Sequence, residues 1–311
     1  MFSYFSVTSM LIQSQEYLHR PTAPATWWAP PDSQVLGGYD LHRETHGTWL
    51  GVTRQGRVAV LTNYREEGDA IIQGARSRGV IPNAWLKSDP KANESTADFA
   101  RRLVEQDGVR GVGGFSLLYG RVQDVVKDGP HKGCAIISNR TPDAEGVIWV
   151  AQNPHETHAL SNAAYNDRSW PKVTNAEEGV RKAVADSIAA KETKDQLIER
   201  LFALLSVDTM PRQKDNEEWD MYLNQLRHSI FVPTIGKDGL SGMPPHPVGD
   251  VVKHRAVDAT TGVYGTKEQT VILVDRDGKM VYFERTLFDD NALPVPRGQG
   301  DRVFEFQIED W

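Results

Sequence analysis

The clearest hydrophobic pattern in the chain predicts a β-hairpin over residues 47–65. Trp49, Leu50 and Val52 form a short apolar run, Gln55-Gly56 supplies the turn, and residues 58–61 form a second apolar run. Glycine adopts the positive φ that such a turn requires without steric cost. A near-continuous apolar run is typical of a strand covered on both faces, although periodicity alone does not exclude a short buried helix. Polar residues follow this strand, where a scaffold can hold a site rigidly.

Further strands are predicted on both sides of a helical block. Short apolar runs at residues 113–119, 134–137 and 147–150 are separated by turn-forming residues. Residues 269–274 and 279–286 flank an Asp-Arg-Asp-Gly turn and predict a second hairpin, and residues 302–308 predict a closing strand. Residues 1–20 are a weak strand candidate because their alternation is broken, and residues 66–96 are expected to be mainly loop.

Helical spacing predicts four helices. The first covers residues 97–106, with Thr96 as its cap. The second begins at Asn175, where Asn175 and Glu178 resemble a capping box. The others cover residues 195–206 and 217–228. Strands, then helices, then strands, with hairpins as connections, favour an α+β domain of antiparallel sheet with helices packed on it.

A Pro-rich, Trp-bearing segment at residues 20–31 cannot pair within a central strand, because proline lacks an amide donor. We interpret Trp27 and Trp28 as anchors that pack this segment onto the body of the protein. A platform for a ligand is the alternative.

Composition narrows the classes of function. The 311 residues carry a net charge of −7 and include a single cysteine. An acidic chain gives no electrostatic case for nucleic acid binding. Because Cys134 is the single cysteine, no intrachain disulfide can form. Its apolar neighbours in sequence favour a small buried strand residue over a catalytic thiol. No apolar run approaches the ~18 residues of a membrane-spanning helix, and residues 1–12 lack the basic region of a secretory signal.

Several segments, in order along the chain, resemble the NRDE-motif family that is named for transport and Golgi organisation protein 2. None is diagnostic alone, but the ordered set is specific and covers nearly the whole chain. The segments are Arg20-Pro21-Thr22, Trp28, Gly37-Gly38, Asp40-Leu41, residues 47–51, residues 60–64, residues 160–162, Trp170-Pro171-Lys172, residues 264–266 and residues 270–274.

The resemblance implies a fold like that of the N-terminal-nucleophile hydrolases, a four-layer αββα sandwich of antiparallel sheets. In such enzymes the first residue of the mature chain attacks an amide, with its own α-amine as base. Family members typically begin Met-Cys and carry Asn-Arg-Asp-Glu before the Arg-Pro. This chain begins Met1-Phe2 and has Gln-Ser-Gln-Glu at residues 13–16, where only Glu16 matches.

This departure divides the chain into a divergent segment, residues 1–15, and a single family domain, residues 16–311. Two explanations stay open. Either residues 1–15 are not the native start of the protein, or the chain is a true variant that has lost the nucleophile. We therefore assign no catalytic residue and no metal ligand.

The candidate ligand-binding residues lie in or beside the matched segments. One interpretation of Glu16 is that it orients a ligand. The other is that it is an exposed loop acid or forms an ion pair, for instance with Arg20. Asn63 donates to a substrate carbonyl, as an oxyanion donor does, or satisfies nearby backbone, and the same two interpretations apply to Ser161-Asn162. The full set is Glu16, Arg20, Gly38, Asp40, Thr48, Trp49, Asn63, Ser161 and Asn162.

Three histidines, His19, His42 and His46, cluster in sequence near these residues. They are candidates for haem or metal ligation, but solvated loop histidines are the simpler interpretation.

The sequence thus supports three hypotheses about function. The resemblance implies a non-catalytic protein that handles haem or acyl-CoA and lipid, with effects on Golgi organisation and protein secretion, in the cytoplasm and in association with the mitochondrion or the Golgi. The alternative is a hydrolase of amide or thioester bonds, which requires a native start at cysteine. A purely structural secretion adaptor is the third. No cofactor is assigned, and haem enters only as cargo.

Overall fold

A computed structural model describes residues 10–64, 77–92, 94–107, 109, 112–126, 133–153, 155–212, 224–235 and 263–311. The sequence-based expectations for residues 1–9, and most of those for the helix at 217–228, lie outside these residues. Among the described residues of the latter segment, Asn224–Arg227 form one 3-10 turn.

Eleven strands form two antiparallel sheets in the described part of the chain. The larger sheet has the order β2-β3-β4-β5-β6-β7-β8, and the smaller has the order β1-β9-β10-β11. The strands are β1 Met10–Tyr17, β2 Thr22–Trp27, β3 Val35–Asp40, β4 Leu50–Thr53, β5 Arg57–Asn63, β6 Phe115–Arg121, β7 Cys134–Ser138, β8 Ile148–Val150, β9 Tyr264–Val274, β10 Lys279–Thr286 and β11 Asp301–Gln307.

The two sheets pack against each other through an apolar interface. Leu36 and Val52 of the larger sheet belong to the same buried cluster as Ile272, Met280 and Tyr282 of the smaller one. Because side chains alternate along a strand, the intervening residues of β9 and β10 face the opposite side of the smaller sheet.

Helices cover the outer face of each sheet. They are α1 Val80–Leu86 and α2 Thr96–Arg102 on the larger sheet, and α4 Pro171–Ala190 and α5 Lys194–Leu205 on the smaller sheet. The short helix α3 Val122–Val126 follows β6 and packs on the opposite face of the larger sheet from α1 and α2. Trp85 of α1 and Phe99 of α2 pack on Tyr119 of β6, and Leu201 and Phe202 of α5 pack on Val271 and Val281 of the smaller sheet. The molecule is therefore mixed α and β, with a large antiparallel sheet and packed helices.

The structure confirms both predicted hairpins. Gly56 and Gly278 occupy the two turns with φ of 78° and 80°, so the positive φ that the turns require is supplied by glycine in each. The proline-bearing segment forms β2, an edge strand of the larger sheet, as expected for a chain that lacks an amide donor at Pro24. Trp28 is an anchor: it is buried and its indole N–H donates to the carbonyl of Gly37 at 3.0 Å.

Three local expectations are wrong. Residues 80–86 form α1 rather than loop, and Ser95 rather than Thr96 caps α2 through its hydroxyl, which accepts from the Asp98 amide. Helix α4 begins at Pro171, four residues before the expected capping box. Proline is well suited to the first helical position, because its fixed φ is helical and its missing N–H would be unpaired there. Asn175 therefore lies inside the helix.

Candidate functional site

Most of the predicted site residues lie at one edge of the larger sheet. Strand β3 ends there at Asp40 and β5 ends at Asn63, whereas β2 begins there at Thr22. Thr22 pairs with Asp40, and Asn63 pairs with Phe115 of β6. Residues that are distant in sequence meet at this edge because alternate antiparallel strands start and stop together.

Arg20 and Asp40 form the central ion pair of this edge. The guanidinium donates to both carboxylate oxygens, from Nε at 3.1 Å and from Nη2 at 2.6 Å. Asp40 is buried and also accepts from the amide of His42. The Arg20 guanidinium lies 5.3 Å from the centre of the Trp49 ring, within the range of a cation–π contact. Three predicted residues are thus joined in one cluster.

Gly38 and Thr48 are joined by a second contact at the same edge. The buried Thr48 hydroxyl lies 2.7 Å from the Gly38 carbonyl oxygen and 2.8 Å from that of Leu50. A Cβ at Gly38 would lie 2.7 Å from the carbonyl oxygen of Ala23, so glycine is required by the close approach of β2. These two residues hold β3 against the start of β4, which fixes the position of Trp49.

Asn63 and Asn162 are also brought together. The Asn162 side-chain amide donates to the backbone carbonyl of Asn63 at 2.7 Å, so the loop after β8 is tied to the end of β5. The side-chain oxygen of Asn63 is buried without a hydrogen-bond partner in the described structure. Ser161 is half-buried and makes no hydrogen bond to any described residue. Glu16 lies on β1, where its backbone pairs with Gly265 of β9.

Two arginines that the sequence reasoning missed complete the edge. Arg78 donates from Nη1 to the Gly114 carbonyl at 2.9 Å, and the same carbonyl accepts from the amide of Tyr64, which follows Asn63. Burial lowers the pKa of Arg78, and the nearby charges of Arg43 and Arg20 lower it further. The sequence did not indicate these two residues as part of a site, because Arg43 lies in a polar loop and Arg78 lies in a segment predicted to be mainly loop.

The described residues of this edge therefore carry an excess of positive charge. Arg20 is neutralised by Asp40, but neither Arg43 nor Arg78 forms an ion pair with any carboxylate among the residues that the structure describes. Burial is the main cause of the lowered pKa of Arg78, and the charges of Arg43 and Arg20 act on it in the same direction, which places both guanidinium groups near that of Arg78. We call Arg20, Arg43 and Arg78 the arginine cluster. Such a cluster suits a ligand with more than one negative charge.

Comparison with known proteins identifies the family. The model of the family described as Transport and Golgi organisation 2 matches residues 11–289. The chain belongs to the Transport and Golgi organisation 2 family. It is 26% identical to the uncharacterized protein YGR127W of Saccharomyces cerevisiae over 96% of this chain and 95% of that protein. It is also 27% identical to the Transport and Golgi organization protein 2 homolog of Bos taurus, over 88% of this chain and 83% of that protein.

A Homo sapiens protein of the Transport and Golgi organisation 2 family shares 26% identity over 94% of this chain and 90% of its own length. The matched region includes every residue of the arginine cluster and all the predicted site residues. The described helices include none with the length and apolarity needed to cross a bilayer.

Two of the three candidate histidines are exposed, and His19 is half-buried. His46 is exposed, with its ring 6.1 Å from that of Tyr39. His42 is exposed too. In His19, Nδ1 lies 3.0 Å from the carbonyl oxygen of Asp290, and Nε2 is buried without a partner in the described chain. A carbonyl that accepts from Nδ1 leaves Nε2 as the nitrogen with a free lone pair. The described residues contain no cluster of three metal-ligating side chains.

Cys134 is the other group with catalytic potential, and its environment argues against that role. It is buried on β7, and burial followed by the charge of Asp124 raises its pKa to about 12. A thiol with so high a pKa is a poor nucleophile at neutral pH. This agrees with its interpretation as a small buried strand residue.

Proposed function

We propose that this protein is a non-catalytic binding protein with a role in transport and Golgi organisation, and that its cargo is a small anionic, amphipathic molecule. Haem and acyl-CoA are the two candidates. The observation that carries the proposal is the arginine cluster, which places three guanidinium groups and one paired carboxylate at the edge where the predicted site residues meet.

The charge argument favours both candidates equally. Haem carries two propionates, and acyl-CoA carries several phosphate charges. Arg43 and Arg78 together offer two positive charges that no described carboxylate neutralises. Because Arg78 is buried in part, a ligand anion there would interact in a less polar environment than bulk water, which strengthens the attraction.

An apolar surface adjoins these charges and supports an amphipathic ligand rather than a simple anion. Trp49 is half-buried and lies beneath the Arg20 guanidinium. Leu41, which directly follows Asp40, is 45% exposed, and its amide is fixed to the carbonyl of Pro21 at 3.0 Å. Large ligand sites commonly combine apolar walls with a few convergent polar groups.

The proposal includes the finer fold and the organisation of the chain. Two antiparallel sheets in contact, each with helices on its outer face, support the four-layer αββα arrangement of the N-terminal-nucleophile hydrolases. We infer a single family domain over residues 16–311, with residues 1–15 as a divergent segment. We also infer work in the cytoplasm in association with the Golgi or the mitochondrion, with an effect on protein secretion. The names of the relatives support the Golgi part of this inference.

Binding of each candidate ligand to the full chain tests the proposal. We expect either a shift of the haemin Soret band at stoichiometric haemin, or saturable heat on titration with an acyl-CoA. Arg43→Ala and Arg78→Ala are each expected to weaken binding about tenfold, which corresponds to ~1.4 kcal/mol. Added salt is expected to weaken binding as well. His19→Ala separates the ligands, because it would diminish the haemin spectrum and leave acyl-CoA binding unchanged.

Arg276→Ala is the matched control. Arg276 lies in the turn between β9 and β10, at the opposite end of the smaller sheet from the arginine cluster, so its loss should leave affinity unchanged. Absence of binding by both ligands, or equal affinities of the Arg43→Ala, Arg78→Ala and Arg276→Ala variants, would overturn the proposal.

The alternative function is hydrolysis of amide or thioester bonds, and the asparagine pair favours it. Asn63 ends a central strand, Asn162 is tied to its backbone, and the side-chain NH2 of Asn63 donates to no described residue. An NH2 group in this position is a suitable donor to a substrate carbonyl or its oxyanion, whereas the amide oxygen is an acceptor. The alternative requires that the native chain begin with cysteine. It predicts turnover that thiol alkylation of the first residue blocks and an acyl-enzyme adduct visible by mass spectrometry, and absence of both would rule it out.

A further inference from the structure

Lys172 is a buried lysine without a counter-ion. It is the second residue of α4, only 6% of it is exposed, and it forms no hydrogen bond or ion pair with any part of the chain that the structure describes. Its Nζ lies 5.2 Å from the centre of the Trp170 ring. Buried charges in proteins are normally paired, so this lysine requires an explanation.

The N-terminus of α4 is also without a cap. The N-cap residue is Trp170, whose side chain offers no hydrogen-bond acceptor, and no acidic residue lies in the first turn. Pro171 has no N–H and the Val173 amide donates to the Trp170 carbonyl at 3.0 Å, whereas the Lys172 amide donates to no described residue. The aligned peptide dipoles place a partial positive charge at this end of the helix. Helix α4 has 20 residues, which is long enough for this effect to be fully developed.

The acids nearest in sequence are engaged elsewhere. Glu177 accepts from Arg168 at 2.6 and 2.9 Å and from the amide of Ala159. Asp167 accepts from the amide of Ser169 at 2.9 Å. Neither carboxylate forms an ion pair with Lys172, and burial is the cause of the shift in the lysine pKa. Two positive features, an ammonium and a helix N-terminus, are left together with no compensating negative charge from the described residues.

This arrangement has an electrostatic consequence. Burial lowers the pKa of Lys172 to about 8, and no nearby carboxylate acts in the opposite direction. Near neutral pH the side chain is therefore charged, buried and adjacent to the positive end of a helix. A bound anion would compensate both charges at once, as phosphate and carboxylate groups do at other helix N-termini.

We propose that Lys172 and the uncapped N-terminus of α4 form a binding site for a small oxyanion, either a carboxylate or a phosphate. This site uses no residue of the arginine cluster and does not depend on the proposed cargo. The ammonium supplies the charge beside the Trp170 ring, and the backbone amide of Lys172 supplies a hydrogen bond at the positive end of the helix.

The test is titration of Lys172 in the full chain by NMR of lysine Cε resonances, in chloride, in inorganic phosphate and in acetate at equal ionic strength. We expect saturating phosphate or acetate to raise the pKa of Lys172 from about 8 toward the ordinary lysine value near ~10.4. A response to phosphate alone assigns a phosphate ligand, and a response to acetate assigns a carboxylate. The anions should also raise the melting temperature.

Variants on the same helix provide the controls. Lys172→Met is expected to abolish the anion-dependent increase in melting temperature, whereas Lys172→Arg retains the positive charge and should retain the response. Lys182→Met should leave it unchanged, because Lys182 is exposed and paired with Asp186 at 2.7 Å. Arg78→Ala should leave it unchanged as well, which separates this site from the arginine cluster.

Two results would overturn the proposal. One is a Lys172 titration that neither anion changes. The other is an increase in melting temperature that is equal in the wild-type, Lys172→Met and Lys182→Met proteins, since excluded anions such as phosphate stabilise folded proteins generally. The wild-type titration decides the question even if Lys172→Met does not fold.

Discussion

At the scale of single residues, the pair of Arg20 and Asp40 is expected to stabilise the fold as well as the site. Replacing Asp40 by Asn removes the charge from a buried carboxylate with three hydrogen bonds and leaves Arg20 unpaired. Loss of one partner of a fully buried ion pair costs about 3–5 kcal/mol. The Arg20 side chain is 28% exposed, so we expect a smaller decrease in the free energy of unfolding, about 1–3 kcal/mol.

Urea denaturation measures this decrease, and Asp186→Asn is its control. Asp186 is paired with Lys182 on the surface of α4, and exposed pairs of this kind contribute about 0–0.5 kcal/mol. Equal stabilities of the Asp40→Asn and Asp186→Asn variants would contradict a structural role for the Arg20 pair.

A second prediction at this scale concerns Cys134. Because burial raises its pKa to about 12, the thiolate fraction at pH 8 is about a thousandfold lower than for an ordinary thiol of pKa near ~8.5. We expect the native protein to resist a thiol-specific chromogenic reagent and the urea-unfolded protein to react stoichiometrically. Rapid labelling under native conditions would place Cys134 outside the buried position on β7.

At the scale of elements, the close packing of β3 against β4 is expected to depend on Gly37. A Cβ at this position would lie 2.5 Å from the backbone carbonyl oxygen of Leu50, which cannot move aside without disrupting the sheet. Gly37→Ala should therefore lower the free energy of unfolding by about 1–3 kcal/mol. Gly265→Ala on β9 is the matched comparison, since its nearest atom is 3.3 Å away. Thermal melts that rank the two variants equally would contradict this account.

The sequence predicted the elements whose pattern is long or strongly alternating. The hairpins around Gly56 and Gly278 and the helix α5 have that pattern, and the structure confirms them. Helix α1 was missed because it has only seven residues, and fewer than about 12 residues show little periodicity and little intrinsic stability. Its burial of Trp85 depends on contacts with Phe99 and Tyr119 that are distant in sequence.

The same limit applies to the site. The family resemblance named the strand-end residues, such as Asp40 and Asn63, because they lie in matched segments. Arg78 and Arg43 were missed because their relation to Arg20 arises only when β6, α1 and the loop after β3 come together. Lys172 was included in a matched segment, but its lack of a counter-ion is a property of the folded chain.

At the scale of the whole molecule, Glu284 links the two sheets and makes their association sensitive to pH. It lies on β10 of the smaller sheet, and its Oε1 accepts from the amide of Ala25 on β2 of the larger sheet at 2.8 Å. Glu284 is 3% exposed, and the nearest cation, Arg302, is 3.9 Å away. Burial raises the pKa of the Glu284 carboxyl, against the opposing effects of the Ala25 hydrogen bond and Arg302.

The direction of the pH dependence follows from this raised pKa. The native state binds more protons at Glu284 than the unfolded state does, at any pH between the unfolded pKa near ~4.3 and the raised folded pKa. The free energy of unfolding contributed by this group therefore falls as pH rises through that interval.

Glu284→Gln keeps an oxygen that can accept from Ala25 but has no carboxyl to ionise. We therefore expect a flatter dependence of stability on pH and a more stable protein above the interval. Urea denaturation from pH 4 upward measures this, with the exposed Glu178→Gln as control. A Glu284→Gln profile with the same slope as the Glu178→Gln profile would mean that the contact between the sheets tolerates the charge.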